Sequence, residues 1–135
     1  MYLPRHFKPT EYLPQSWIDQ YDGMAPLAMD ERILISIDSL RDFFGVPITI
    51  NNYSKGLSYR GLRTPICPQY KPNSQHSFGR AIDFDVQGMD AENVRQTILK
   101  NQSKFPLISR MEIGTEWVHI DCANTGSSLI TMVNP

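Results

Sequence analysis

The chain has 135 residues, 41% of them apolar and 20% charged, the balance of an ordinary globular protein with one hydrophobic core. Its formal net charge of −1 excludes the basic footprint of a nucleic-acid binder, and no apolar run approaches the roughly 18 residues of a membrane span. The opening residues, MYLPRHFKPTEYLPQSW, lack the apolar centre of a secretory signal. The expectation is a single domain over residues 1–135, monomeric, made in the cytoplasm without a signal peptide and not inserted into membrane. Cys67 and Cys122 lie far apart in the sequence and form no CxxC pair, so free thiols are expected.

Residues 1–28 read as an irregular arm, interrupted by Pro4, Pro9, Pro14 and Pro26. DERILISIDSLRDFFG follows as the clearest helix, with Asp30 as cap, Ile33, Ile37, Leu40 and Phe44 at helical spacing, and Gly45 as stop. PITINNY is rich in β-branched residues and reads as a strand. Residues 54–75 form a long loop of the kind that is usually functional in a compact domain. RAIDFDV alternates, with Ala81, Asp83 and Asp85 on one face and Ile82, Phe84 and Val86 on the other. DAENVRQTILKN predicts a second helix capped by Asp90. LISRMEI and EWVHIDC then form a hairpin about Gly114-Thr115, a pair that suits a tight turn. In its second strand Trp117, His119 and Asp121 share a face, while Val118 and Ile120 point to the core. SLITMV adds a short last strand. The expected fold is α+β, a small, mostly antiparallel sheet packed with helices.

Two of these strands carry histidine or aspartate on their polar faces. His76 stands at the entrance to one, Asp83 lies within it, and His119 lies in the other. Imidazole and carboxylate are the ligands of catalytic zinc, and three of them leave a fourth position for water. Strand parity alone does not separate Asp83 from Asp85. Glu116 is three residues before His119. Strict alternation would put it on the opposite face, and a twist beside the turn would be needed to bring it round.

SQHSFGRAIDFDV contains S-x-H-x-x-G-x-A-x-D, with Ser74, His76, Gly79, Ala81 and Asp83 at the fixed positions, and EWVHID places an acid three residues before a Trp-flanked histidine. The pair resembles the two metal motifs of the zinc D-Ala-D-Ala peptidases, the M15 group, whose fold is shared with the hedgehog signalling domain. GLRTP is similar to a third, upstream element of that group, with Leu62 in place of the usual tyrosine. The resemblance covers about residues 30–122.

It implies one zinc per chain held by His76, Asp83 and His119, with Glu116 as general base. Arg63 would clamp the substrate or the oxyanion, with Arg60 as the other candidate, and Ser74 would contact substrate or bond to the backbone of the turn. Asp85 would be a surface or supporting residue; Asp121 would orient a ligand imidazole or stand exposed. The implied activity is hydrolysis of peptidoglycan stem peptides, either as a D-Ala-D-Ala carboxypeptidase or as an L-Ala-D-Glu endopeptidase. A short chain without a signal suits a phage endolysin that reaches the cell wall through a holin or in a virion. The alternative is a non-catalytic module of the same fold that keeps the metal for stability or binding.

Overall fold

Helix formation begins where a capping side chain meets an apolar stripe. The computed structural model describes residues 1–135. In it the longest helix (Glu31–Phe44, α2) starts at Asp30, whose carboxylate accepts from Arg32 N, and stops at Gly45 in the left-handed region. Its buried stripe of Ile33, Leu34, Ile37 and Leu40 forms the centre of the core. A later helix (Ala91–Lys100, α3) is capped by Asp90 and buries Val94, Arg95 and Ile98.

Five strands form one mixed sheet: β1 (Ile48–Thr49), β2 (Ala81–Val86), β3 (Arg110–Glu112), β4 (Val118–Asp121) and β5 (Thr131–Val133). Their spatial order is β1-β2-β4-β3-β5, antiparallel throughout except for the parallel pair β3–β5. Ile82, Phe84, Val118 and Ile120 are buried in the core that α2 and α3 share. The other face, with Asp83, His119 and Asp121, lies under the long segment between β1 and β2. That segment replaces β1 alongside the middle of β2, where Asp83 N donates to Arg60 O at 2.7 Å.

Three expectations differ from the structure. Residues 1–28 are not wholly irregular: they contain a short helix (Gln15–Tyr21, α1) and 3-10 turns at Pro9–Glu11 and Asp22–Ala28. The prolines start these turns rather than prevent them, since Pro9 opens one and Pro14 is the N-cap of α1, where no amide hydrogen is needed. The strand at PITINNY shrinks to two residues, because Asn51 N turns to Glu11 O and its side chain accepts from Arg60 N. The tight turn at Gly114-Thr115 is a wider loop, residues 113–117. Buried Arg95 reaches from α3 to the carbonyls of Thr115 and Trp117, both at 3.1 Å, and holds that loop open.

The N-terminal segment is part of the same packing unit. Buried Asp38 on α2 accepts from Tyr2 Oη and from the amides of Arg5 and His6. Two glycines of the long segment lie against this N-terminal stretch. A Cβ at Gly61 would sit 2.1 Å from Tyr12 O, and one at Gly79 would sit 1.9 Å from Ala28 O. Gly79 also has a φ of 67° and accepts from Asp30 N, which ties the turn before β2 to the cap of α2.

Candidate metal centre

Antiparallel pairing of β2 with β4 sets Asp83 directly opposite His119. Side chains on one face of such a pair stand close enough to share a ligand. His119 Nδ1 lies 2.8 Å from Asp83 Oδ1. His76 comes from the turn just before β2, and its Nε2 lies 3.3 Å from the same oxygen. One ligand atom from each of His76, Asp83 and His119 falls within 4.8 Å of the others, and all three residues are buried.

The second nitrogen of each ring decides which one is free for a metal. His76 Nδ1 donates to Gly61 O at 2.8 Å, leaving the Nε2 lone pair toward Asp83. His119 Nε2 donates to Asp121 Oδ2 at 2.9 Å, leaving Nδ1 toward Asp83. Asp121 is fully buried and is gripped by Arg110 through Nε at 2.9 Å and Nη2 at 2.8 Å. Carboxylates that orient ligand imidazoles in this way are a recurrent part of metal sites. Two imidazole nitrogens and one carboxylate oxygen match the donor set of a three-ligand zinc site.

The electrostatics fit a bound cation. Burial opposes ionisation of Asp83, but His76 and His119 beside it hold its carboxyl well below the ordinary range. Burial also resists charging of His119, yet hydrogen bonds to Asp121 and Asp83 push its pKa up to about 9. Asp121 is lowered in the same way, against its burial, by His119 and Arg110. The carboxylates therefore demand positive charge at this spot. Without a metal a proton on His119 supplies it, and a divalent ion can take that proton's place.

The three residues line one wall of an open cleft of about 450 Å³ that also contains Arg63, Lys71, Ser74, Glu112 and Trp117. Arg63 places Nη2 3.3 Å from Asp83 Oδ2, while its Nε donates to Tyr59 O. Tyr59 has a φ of 56°, a left-handed conformation that is costly for a tyrosine and turns its carbonyl to this arginine. Arg60 is turned away, bonded to Asp85 at 2.9 Å and to the carbonyls of Thr49 and Ile50. Of the two arginines only Arg63 reaches the cleft, and Asp85 belongs to the pair behind it. Ser74 lines the cleft and its Oγ accepts from His76 N, so both uses expected of it are geometrically open. Trp117 forms part of the wall.

Glu116 is placed elsewhere. It lines a separate cleft beside α3, with Asp85, Glu92 and Arg95. Arg95 holds the carbonyls on both sides of it, those of Thr115 and Trp117. The carboxylate that does approach the centre is Glu112, with Oε1 3.6 Å from His119 Nδ1. Glu112 and Arg110 were not identifiable as site residues from the sequence, since their relation to β4 depends on hairpin register. Their two-residue spacing, which puts them on one strand face, is the only local signal. Both cysteines are free and buried.

No curated protein and no solved structure matches the chain. The family model described as Peptidase M15 matches residues 5–121, which include the N-terminal segment, the long loop and both metal-motif strands. The chain is a member of the Peptidase M15 family.

Proposed function

We propose that the protein is a zinc-dependent peptidase that cleaves peptide bonds in peptidoglycan stem peptides. The observation that carries this reading is the buried His76–Asp83–His119 group, its ligand atoms within 4.8 Å of one another on the wall of an open cleft, in a member of a peptidase family. A structural zinc site is closed by four protein ligands, whereas three ligands beside a cleft leave room for water and substrate. That openness favours an enzyme over a module that keeps metal only for stability.

A bound zinc ion would supply Lewis acidity, bringing the pKa of a water in its open position down toward neutrality. The chain's own residues supply position and charge. Arg63, fixed by Tyr59 O and Asp83, presents the rest of its guanidinium to the cleft, where it would steady a carbonyl or carboxylate oxygen of the peptide. Lys71 on the same rim makes no ion pair within the protein, and a peptide bearing a free carboxylate would satisfy it. Stem peptides carry such groups, both at their ends and on their acidic residues. Trp117 offers an apolar wall for the peptide backbone. A base must then accept the water's proton and deliver it to the departing amine. The resemblance gives that part to Glu116, which would have to leave its own cleft to perform it.

Digestion of purified peptidoglycan by wild type, His76→Ala and chelator-treated protein, with fragments identified by mass spectrometry, tests the proposal. Wild type should release peptide fragments, and the other two should release none. Free D-Ala would indicate the carboxypeptidase type, and new N-terminal D-Glu the endopeptidase type. No release by metal-loaded wild type would remove peptidoglycan as the substrate.

A further inference from the structure

We infer that the groove between Tyr53 and Tyr59 is a saccharide subsite, which holds an N-acetylated amino sugar of the glycan strand while its stem peptide lies in the metal cleft. The choice of sugar rests on the peptidoglycan reading above. A hydrogen-bonded loop builds the groove. Asn52 and Leu57 exchange backbone bonds of 2.8 and 3.0 Å. Tyr53 and Ser58, each next to a member of that pair, reach one groove of about 290 Å³. Tyr59, Ile66 and the start of α1 complete its lining.

No acidic or basic side chain lines this groove, whereas Arg63, Lys71, Asp83 and Glu112 line the metal cleft. An uncharged ligand therefore fits it, and a carboxylate would be desolvated there without a partner. Aromatic rings have a negative face that attracts the polarised C–H face of a pyranose, and two tyrosines stand here. The Tyr53 hydroxyl donates to Leu13 O at 3.3 Å, so its ring is held before a ligand arrives. Sugar hydroxyls and an acetamide find partners in Ser16, Ser58 and Gln15. Gln15 Nε2 is taken by Asp19 at 2.8 Å, which leaves the Gln15 oxygen to accept. Tyr53 and Ile66 are 51% and 66% exposed, an uncovered apolar surface at the mouth of the groove.

Position joins the groove to the cleft. The Tyr59 phenol is near enough to Tyr53 to raise its pKa, adding to the larger effect of burial. The Tyr59 carbonyl, turned by left-handed backbone, accepts from Arg63 Nε at 2.9 Å. Further along, Arg63 and Gln69 line the cleft while Ile66, between them, lines the groove. Three residues of chain span at most about 11 Å, so groove and cleft share a thin wall. Peptidoglycan has the same juxtaposition, a neutral sugar joined to a charged peptide. The first bond between stem residues lies about 7 Å of chain from the sugar, and the terminal D-Ala bond three residues further out. A sugar held in the groove thus suits the L-Ala-D-Glu cut.

The test titrates ¹⁵N-labelled full-length protein with tri-N-acetylchitotriose, and with cellotriose, which lacks the acetamides, and follows amide chemical shifts. Chitotriose should give saturating shifts at Ser16, Tyr53, Ser58 and Ile66, and cellotriose should bind at least about threefold more weakly. Tyr53→Ala and Ile66→Ser should each weaken chitotriose binding about three- to tenfold. Ile66 makes no side-chain hydrogen bond and is largely exposed, so its variant keeps the test open if loss of the Tyr53–Leu13 bond disturbs folding. In both variants the ratio of kcat/KM for a disaccharide-linked stem peptide to that for the sugar-free peptide should fall by a similar factor.

No saturable shift at about 10 mM, shifts confined to the metal cleft, or equal binding of the two sugars would each overturn the assignment. So would a kcat/KM ratio that neither variant changes. Chitotriose binding that depends on Tyr53 and Ile66, in a protein that releases nothing from peptidoglycan, would count against the peptidase and in favour of the sugar subsite.

Discussion

At the scale of single residues, the centre is built from pairs in which one side chain orients the next. Arg110 grips Asp121, Asp121 takes the Nε2 hydrogen of His119, and His119 is left with Nδ1 facing Asp83. Asp121→Asn keeps the shape but removes the charge that holds this tautomer. Zinc affinity should fall about 10- to 100-fold, measured by competition with a chromogenic chelator. An unchanged affinity would show that Asp121 is only a fold residue. Lys71, which stands on the rim without a partner, should act on binding alone. Lys71→Glu should raise KM for an acidic peptide roughly three- to tenfold with kcat nearly unchanged; an equal loss in both would place the lysine in the chemical step. The alternation of RAIDFDV and EWVHID already displayed Asp83 and His119 as residues of one polar face. Nothing local displayed Glu112, because its neighbour is fixed by hairpin register. Nor did anything local show Arg95, 20 and 22 residues from the two carbonyls it holds.

At the scale of elements, the turn before β2 is the joint between the metal site and α2. Its glycine has positive φ, and no side chain fits between it and Ala28 O. Gly79→Ala should destabilise the protein by about 2–5 kcal/mol, the sum of left-handed strain and overpacking, read from the urea midpoint. Zinc affinity should fall with it, because His76 lies three residues before the glycine on the same turn. A loss of stability below about 1 kcal/mol would mean that the N-terminal segment yields instead. The helices α2 and α3 were legible because cap and stripe agree within each. The helix α1 was hidden by its flanking prolines, which read as breakers when counted but act as starters where they stand. The two-residue β1 was overestimated for a related reason. Its β-branched residues favour extension, but Asn51 and the N-terminal segment draw the chain away from β2.

At the scale of the whole molecule, a metal held by His76, Asp83 and His119 would compete with a proton for one cluster of charge. In metal-free protein, His119 has a folded pKa of about 9 against an ordinary 6.5. Folding therefore takes up a proton between these values. The stabilisation is complete below 6.5 and is lost as pH rises through about 9. Asp83 is depressed from 3.8, so its contribution is complete above that value and is lost as pH falls below it. Chelator-treated protein should thus be most stable between about pH 4 and 6.5. Zinc should raise the urea midpoint and flatten the alkaline decline, because the ion replaces the proton. A metal-free midpoint that does not fall between pH 7 and 9 would contradict the His119 environment described.

The strand order has a further consequence for how the molecule breathes. β2, β4 and β3 are all interior strands, and the ligand-bearing pair β2–β4 is flanked by β1 and the loop on one side and by β3 on the other. Local opening that starts at β5 or β1 can unzip an outer pair while the ligand-bearing pair stays closed. Amide hydrogens of Ile82, Phe84 and Ile120 should then exchange with solvent deuterium only on global unfolding, and those of β5 much sooner. The metal-ligand geometry of His76, Asp83 and His119 would in that case survive local opening of the outer strands.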